Sequence, residues 1–260
     1  METLIVYHRG GGKSLGYPPN CIITIKWALT NKAKAIEYDV VVAKDNNEWK
    51  IIIIEPKLIV EHKLDINNLN WKDVSKINTG NEKYGKANVV TLKEVLNIVG
   101  RSNVMQQIHI KGNNPNTIPT LMSELKNCKN FLITSFDLNV LKQVKKIDSI
   151  AKVGWIVKPD SKSGSEEAID LTKIVTSDPY KFPEHTNQEL LEIKNNANLN
   201  NIDVVILCAP KIRNKDTIVF FQNNGVEIGG WGVGANLELA KKLINFGINR
   251  FTIDNPEELD

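Results

Sequence analysis

Three cysteines in 260 residues, far apart at Cys21, Cys128 and Cys208, are too few and too scattered for a disulfide framework or a Cys-x-x-Cys metal site. Nor does either sign of charge dominate: 33 basic and 30 acidic side chains leave a net charge of +3, which argues against an electrostatic nucleic-acid binder. No apolar run approaches the roughly 18 residues that a membrane-spanning helix requires. The opening METLIVYH begins with an acid after the methionine and is too short for the core of a secretion signal, so cytoplasmic residence is expected. No stretch is rich enough in glycine, serine or proline to act as a linker, and residues 1–260 are therefore expected to form a single domain.

What the chain does have is alternation. Short apolar runs at about 3–7, 36–42, 104–110, 131–135, 151–157, 203–208, 226–231 and 250–253 are separated by helical patterns near 21–33, 91–99, 117–127, 138–146, 164–172, 186–196, 214–223 and 236–246. Strand and helix in turn imply parallel strands joined by crossover helices, hence an α/β fold. Eight such units in this length match a (β/α)8 TIM barrel, with an open doubly wound sheet as the alternative. Two segments break the rhythm. EWKIIII at 48–54 reads as an extra strand and opens a small excursion at about 55–90, where Trp71 offers an apolar anchor. The polar segment 158–185 is the second, and long insertions of this kind more often serve function than none.

Two glycine-rich stretches carry little. Gly11-Gly12-Lys13-Ser14 ends like a phosphate-binding P-loop, but Tyr7 stands where the first glycine is needed and Pro18-Pro19 blocks the helix that should follow. Gly230-Trp231-Gly232-Val233-Gly234 comes too late and lacks the final spacing of a dinucleotide fingerprint, so no organic cofactor is expected.

The polar residues at strand ends carry more. His8 and Arg9 follow directly on the first strand. Glu37 and Asp39 are two apart in an otherwise apolar strand, IEYDVVV, and so share one face, where they can bind one cation. His109 and Lys111 are spaced in the same way at the end of the third strand. In a parallel barrel all these ends open on one rim. An imidazole, an arginine, two carboxylates, a second imidazole and a lysine suit a metal-assisted reaction on a phosphate ester, in which cations neutralise oxyanions while an imidazole moves protons. His62 and His185, in polar loop sequence, are given no such role.

The order of motifs resembles the glycerophosphodiester phosphodiesterase family. HRG, then PPN, IEYDVVVAKDNNEW and IIIIEP parallel that family's His-Arg-Gly, Glu-Asn, Glu-x-Asp-Val, Lys-Asp-Gly and His-Asp-Pro. VVTLKEVL, IHIK, ITSFDLNVL and the closing GGWGVGANLELAKKLINFGINRFTIDNPEEL continue the likeness across essentially the whole chain. The resemblance implies a TIM barrel of the PLC-like phosphodiesterase type, a small-molecule phosphodiester substrate, a place in lipid metabolism and a divalent metal ion (Mg, Ca, Mn or Zn). By the same likeness His8 is an acid/base group, while Arg9 and Lys111 contact the phosphate. Glu37 and Asp39 ligate the metal, and Asn20 and Trp231 line the substrate pocket.

Three departures stand out. Ile54 occupies the place of the family's second catalytic histidine, His109 that of a third carboxylate ligand, and Pro19 that of the glutamate before Asn20. Isoleucine transfers no proton, and loss of a positioned acid/base group costs about 10²–10⁴-fold in rate. His109 can serve as the third metal ligand or replace the missing acid/base group. Two readings follow: a phosphodiesterase with a rearranged site, or a non-catalytic barrel that binds a phosphorylated ligand or a partner protein.

Overall fold

The computed structural model describes residues 2–100, 102–159 and 183–259. In chain order the elements are β1 (Leu4–Tyr7), α1 (Ile22–Thr30), β2 (Ala35–Asp45), β3 (Glu48–Ile53), α2 (Pro56–Glu61), β4 (Leu69–Asn70), α3 (Trp71–Val74), β5 (Val90–Thr91) and α4 (Leu92–Val99). They continue with β6 (Met105–Ile110), α5 (Thr117–Leu125), β7 (Phe131–Ser135), α6 (Leu138–Ile147), β8 (Val153–Ile156), α7 (Asn187–Leu199), β9 (Val204–Cys208), α8 (Lys215–Asn223), β10 (Glu227–Trp231), α9 (Leu237–Phe246) and β11 (Arg250–Ile253). The helix expected at 164–172 and most of the segment 158–185 lie outside the described residues.

Eight strands, β1, β2 and β6 to β11, pair in parallel, and β1 closes the ring by bonding both β11 and β2. The sheet is thus a closed (β/α)8 barrel and not the open alternative. Its strands are apolar nearly throughout because each is covered on both faces. On β2, Ile36, Tyr38, Val40 and Val42 face the helix layer and join the main core. The other phase of the strand points into the barrel and holds Glu37 and Asp39, both almost fully buried. Farther round the ring, Leu132, Ile156, Val204, Ile206 and Cys208 form a separate apolar cluster with Trp231.

Local signals set the element ends. Thr91 and Glu94 form a reciprocal capping box that starts α4, and Thr186 with Glu189 does the same for α7. Gly247, in the left-handed conformation, ends α9.

The insertion after the second barrel strand grows from β2 itself. β3 folds back antiparallel on it, from Val40 opposite Ile53 to Asp45 opposite Glu48, and β5 then pairs with β3. β4 adds to the far end of β2. Ile54, Ile59, Leu69, Val74, Ile77 and Val89 pack with Val41, Ala43 and Ile52 in a small cluster, with Trp71 against its edge. The apolar contacts of the excursion are therefore shared with the barrel's own second strand.

Candidate active site

Strand register decides which side chains meet. Asp39 on β2 lies beside His109 on β6, and Glu37 beside Gln107, so the two carboxylates and the imidazole share one patch of the barrel interior. One oxygen from each carboxylate and one ring nitrogen lie within 4.8 Å of one another. Lys111, two residues beyond His109, reaches Asp39 Oδ1 at 3.2 Å. Across the barrel Tyr7 pairs with Ile253, so the next residue of each strand, His8 and Asp254, also fall together. His8 Nδ1 lies 2.6 Å from Asp254 Oδ1. A carboxylate can only accept, so Nδ1 carries the proton, and Nε2 is left facing inward, 3.9 Å from Glu37 Oε2.

The turn after β1 is built for this. Arg9 takes a left-handed backbone (φ 52°), and its N–H donates to Glu37 Oε2 at 2.9 Å. Gly10 follows at φ 95°, where an added Cβ would sit 2.6 Å from Thr24 Cγ2 of α1, so only glycine fits. The Arg9 guanidinium lies between acids: Nε is 3.0 Å from Asp39 Oδ2, and Nη1 donates to Glu55. Asn20 donates from Nδ2 to Asp39 Oδ2 at 2.9 Å and accepts from the Asp39 N–H at 3.0 Å. Its amide thus clamps Asp39. Trp231 donates from Nε1 to Val157 O and stands edge-on to Phe136, which also lies beside His109 and Lys111.

Electrostatics sort these groups. Burial alone would raise Asp39, but Lys111 and Arg9 hold it well below the usual carboxylate range. Burial opposes charge on His8, yet the hydrogen bond to Asp254 and the charge on Glu37 outweigh it and raise its pKa. His109 moves the other way: burial first, then Lys111, lower its pKa, which keeps the imidazole neutral.

Whether the trio fits a divalent ion can be tested on its donor atoms. Asp39 Oδ1 is buried and accepts no hydrogen bond among the described residues, and His109 Nδ1 lies 3.5 Å from it. Two hard carboxylates and a neutral imidazole form a donor set that a divalent cation accepts. The residues fit.

All eight residues singled out from the sequence fall in this one region: His8, Arg9, Asn20, Glu37, Asp39, His109 and Lys111 about the acidic patch, with Trp231 beside it through Phe136. Ile54 is fully buried in the cluster under the excursion. Two residues escaped the sequence reading. Asp254 follows the last strand in an ordinary-looking TIDNP, and its one signal is its place after a barrel strand. Glu55 was visible only as part of IIIIEP.

The fold and the rim together define a TIM-barrel protein whose strand ends gather an imidazole–carboxylate pair, two cations and a metal-sized acidic trio. The chain belongs to the glycerophosphoryl diester phosphodiesterase family, whose profile it matches over residues 8–258. Among solved structures it is similar to an Oleispira antarctica phosphodiesterase in complex with the product sn-glycerol-3-phosphate (15% identity, TM-score 0.76, 99% of this chain and 95% of that one). Glycerophosphodiester phosphodiesterases from Thermotoga maritima (19%, 0.69, 98% and 95%) and Parabacteroides distasonis (14%, 0.73, 99% and 95%) are similar over nearly their full length as well. No curated protein matches the chain. Among the described residues no helix is long and apolar enough to cross a membrane.

Proposed function

We propose that this protein hydrolyses glycerophosphodiester-like substrates, with His8 as proton donor, Arg9 and Lys111 on the phosphate, and Glu37, Asp39 and His109 holding a divalent ion. The observation that carries the reading is the meeting of His8, both cations and the acidic trio at one rim. Family membership supports phosphodiester hydrolysis as the reaction class. A bound ion supplies positive charge to the phosphoryl oxygens. The chain's own groups do the rest. Asp254 holds the proton on His8 Nδ1 and raises its pKa, which favours the protonated ring whose Nε2–H can protonate a leaving alkoxide. Asn20 keeps Asp39 aligned, and Trp231 with Phe136 gives the pocket an apolar wall.

The same reading takes residues 1–260 as one domain bearing the 55–90 excursion, working in lipid metabolism in the cytoplasm. All three cysteines are described and none forms a disulfide, which suits a reducing compartment.

One observation favours a second reading, a non-catalytic barrel that binds a phosphorylated ligand or a partner protein: Ile54, where the family has its second histidine, is sealed in apolar packing. The test is hydrolysis of bis(p-nitrophenyl) phosphate and of glycerophosphodiesters with Mg²⁺, Ca²⁺, Mn²⁺ or Zn²⁺. Release of nitrophenol and of a glycerol phosphate is expected with at least one ion. Binding of glycerol phosphate without turnover under any of them would select the second reading.

A further inference from the structure

With His8 donating a proton, the reaction still needs a group that accepts one, and the family's second histidine is absent. His109 is ill placed to accept it: its Nδ1 lies against Glu37 and Asp39 at 3.7 and 3.5 Å, and with that nitrogen on a metal ion the ring proton sits on the buried Nε2, which leaves no lone pair to offer. Asp39 is pinned between Arg9, Asn20 and Lys111. Among the described residues, one further carboxylate at the rim has an oxygen to spare. The chain leaves β3 with Ile54 turned into the apolar cluster, so the next residue, Glu55, reaches the opposite way, to the Arg9 guanidinium. Its side chain is 13% exposed, and its second oxygen, Oε2, is buried with no hydrogen-bond partner among the described residues. Arg9 joins Glu55 on Nη1 to Asp39 on Nε, and its main-chain N–H holds Glu37.

We propose that Glu55 is the general base of this enzyme, taking over through its free carboxylate oxygen the role lost with the histidine at position 54. The proposal rests on the hydrolase reading above. The water oxygen bonds to phosphorus as one of its protons passes to Glu55. The bond from phosphorus to the leaving alcohol breaks, the electron pair stays on the alcohol oxygen, and that oxygen takes the proton from His8 Nε2. Glu55 then releases its proton to solvent and His8 takes one up, so the balance is one water consumed and one alcohol formed. The charged groups that face Glu55 are Arg9 in contact and Asp39, His8 and Glu37 beyond it. Burial raises its pKa in spite of Arg9, which makes its carboxylate a stronger base than an exposed one.

The experiment measures kcat and KM for bis(p-nitrophenyl) phosphate between pH 6 and 9, in the divalent ion that best supports the wild type, for wild type, Glu55→Gln and Glu55→Asp. For Glu55→Gln the expected result is a fall in kcat of about 10²–10⁴-fold at neutral pH with KM little changed. Its residual rate should climb about tenfold per pH unit as hydroxide replaces activated water. Glu55→Asp should keep the wild-type profile at an intermediate rate. A Glu55→Gln profile that parallels the wild type, with the loss in KM, would mean that Glu55 only steadies Arg9 and would overturn the proposal. So would an unchanged rate. Thermal melts establish that each variant is folded, and should Glu55→Gln not fold, the Glu55→Asp profile decides. Failure of the wild type itself to turn over any phosphodiester would instead overturn the hydrolase reading, and the base assignment with it.

Discussion

His8 can protonate a leaving group only while its inward-facing Nε2 holds a proton, and Asp254, bonded to Nδ1, favours that doubly protonated ring. Replacing Asp254 by Asn removes the charge that, with Glu37, raises His8 against the cost of burial. The expected outcome is a lower His8 pKa, read by NMR titration of its Cε1 proton, and a lower kcat, by less than the roughly 10²–10⁴-fold loss of His8→Ala. His109 supports a different prediction. An imidazole beside two carboxylates favours Mn²⁺ or Zn²⁺ over Ca²⁺, and it leaves the site one negative charge short of a three-carboxylate site. Calorimetric titration should therefore show weak Ca²⁺ binding by the wild type and a marked gain for Ca²⁺ in His109→Glu. An unchanged ranking would remove His109 from the ligand set.

At the scale of elements, β2 does two jobs. Its first half belongs to the barrel and carries Glu37 and Asp39, while its second half runs on to Asp45 as the base of the excursion. The excursion is tied down near its root by the apolar packing of Ile54, Ile59, Leu69 and Val74, whereas its tip is held by polar and ring contacts. There Asn81 and Gly85 form an isolated bridge, Tyr84 stacks on Tyr17, and Lys83 and the Tyr84 hydroxyl both donate to Leu15 O. Limited trypsin digestion is expected to cut at Lys83 or Lys86 and leave the barrel folded, because none of the eight ring strands passes through the tip. Cooperative loss of the whole circular-dichroism signal on that single cut would show that the tip belongs to the core.

For the molecule as a whole, closure of the ring makes acid stability a shared property, and His185 provides a handle on it. It lies just before α7, 9% exposed, and burial followed by the charge of Lys211 pushes its pKa down to about 4. Above pH 6.5 the imidazole is neutral in both the folded and the unfolded chain. Between 6.5 and about 4 the unfolded chain takes up a proton that the folded one refuses, so stability falls as pH falls. The loss amounts to about 3 kcal/mol at most. Urea unfolding of wild type and His185→Gln at pH 7.5 and 4.5 should show a smaller drop for the variant. The difference between the two proteins isolates His185 from His8, whose raised pKa works in the opposite sense. Equal drops would place His185 in contact with solvent.

Strand and helix periods and two-apart polar pairs are local properties, and they were legible in the sequence because side-chain direction follows from backbone geometry over a few residues. That is why the barrel and the shared faces of Glu37 with Asp39 and of His109 with Lys111 could be read from the chain alone. Register across non-adjacent strands is not local. The approach of Asp254 to His8, some 246 positions away, depends on β11 pairing with β1 in one register and no other. The contact of Glu55 with Arg9 depends on which way β3 releases the chain after Ile54 has been drawn into apolar packing. His185 looked like a loop residue by composition and is buried by its surroundings. Such contacts belong to ring closure, in which free energy spread over the whole core selects one register, and no short stretch of sequence carries that information.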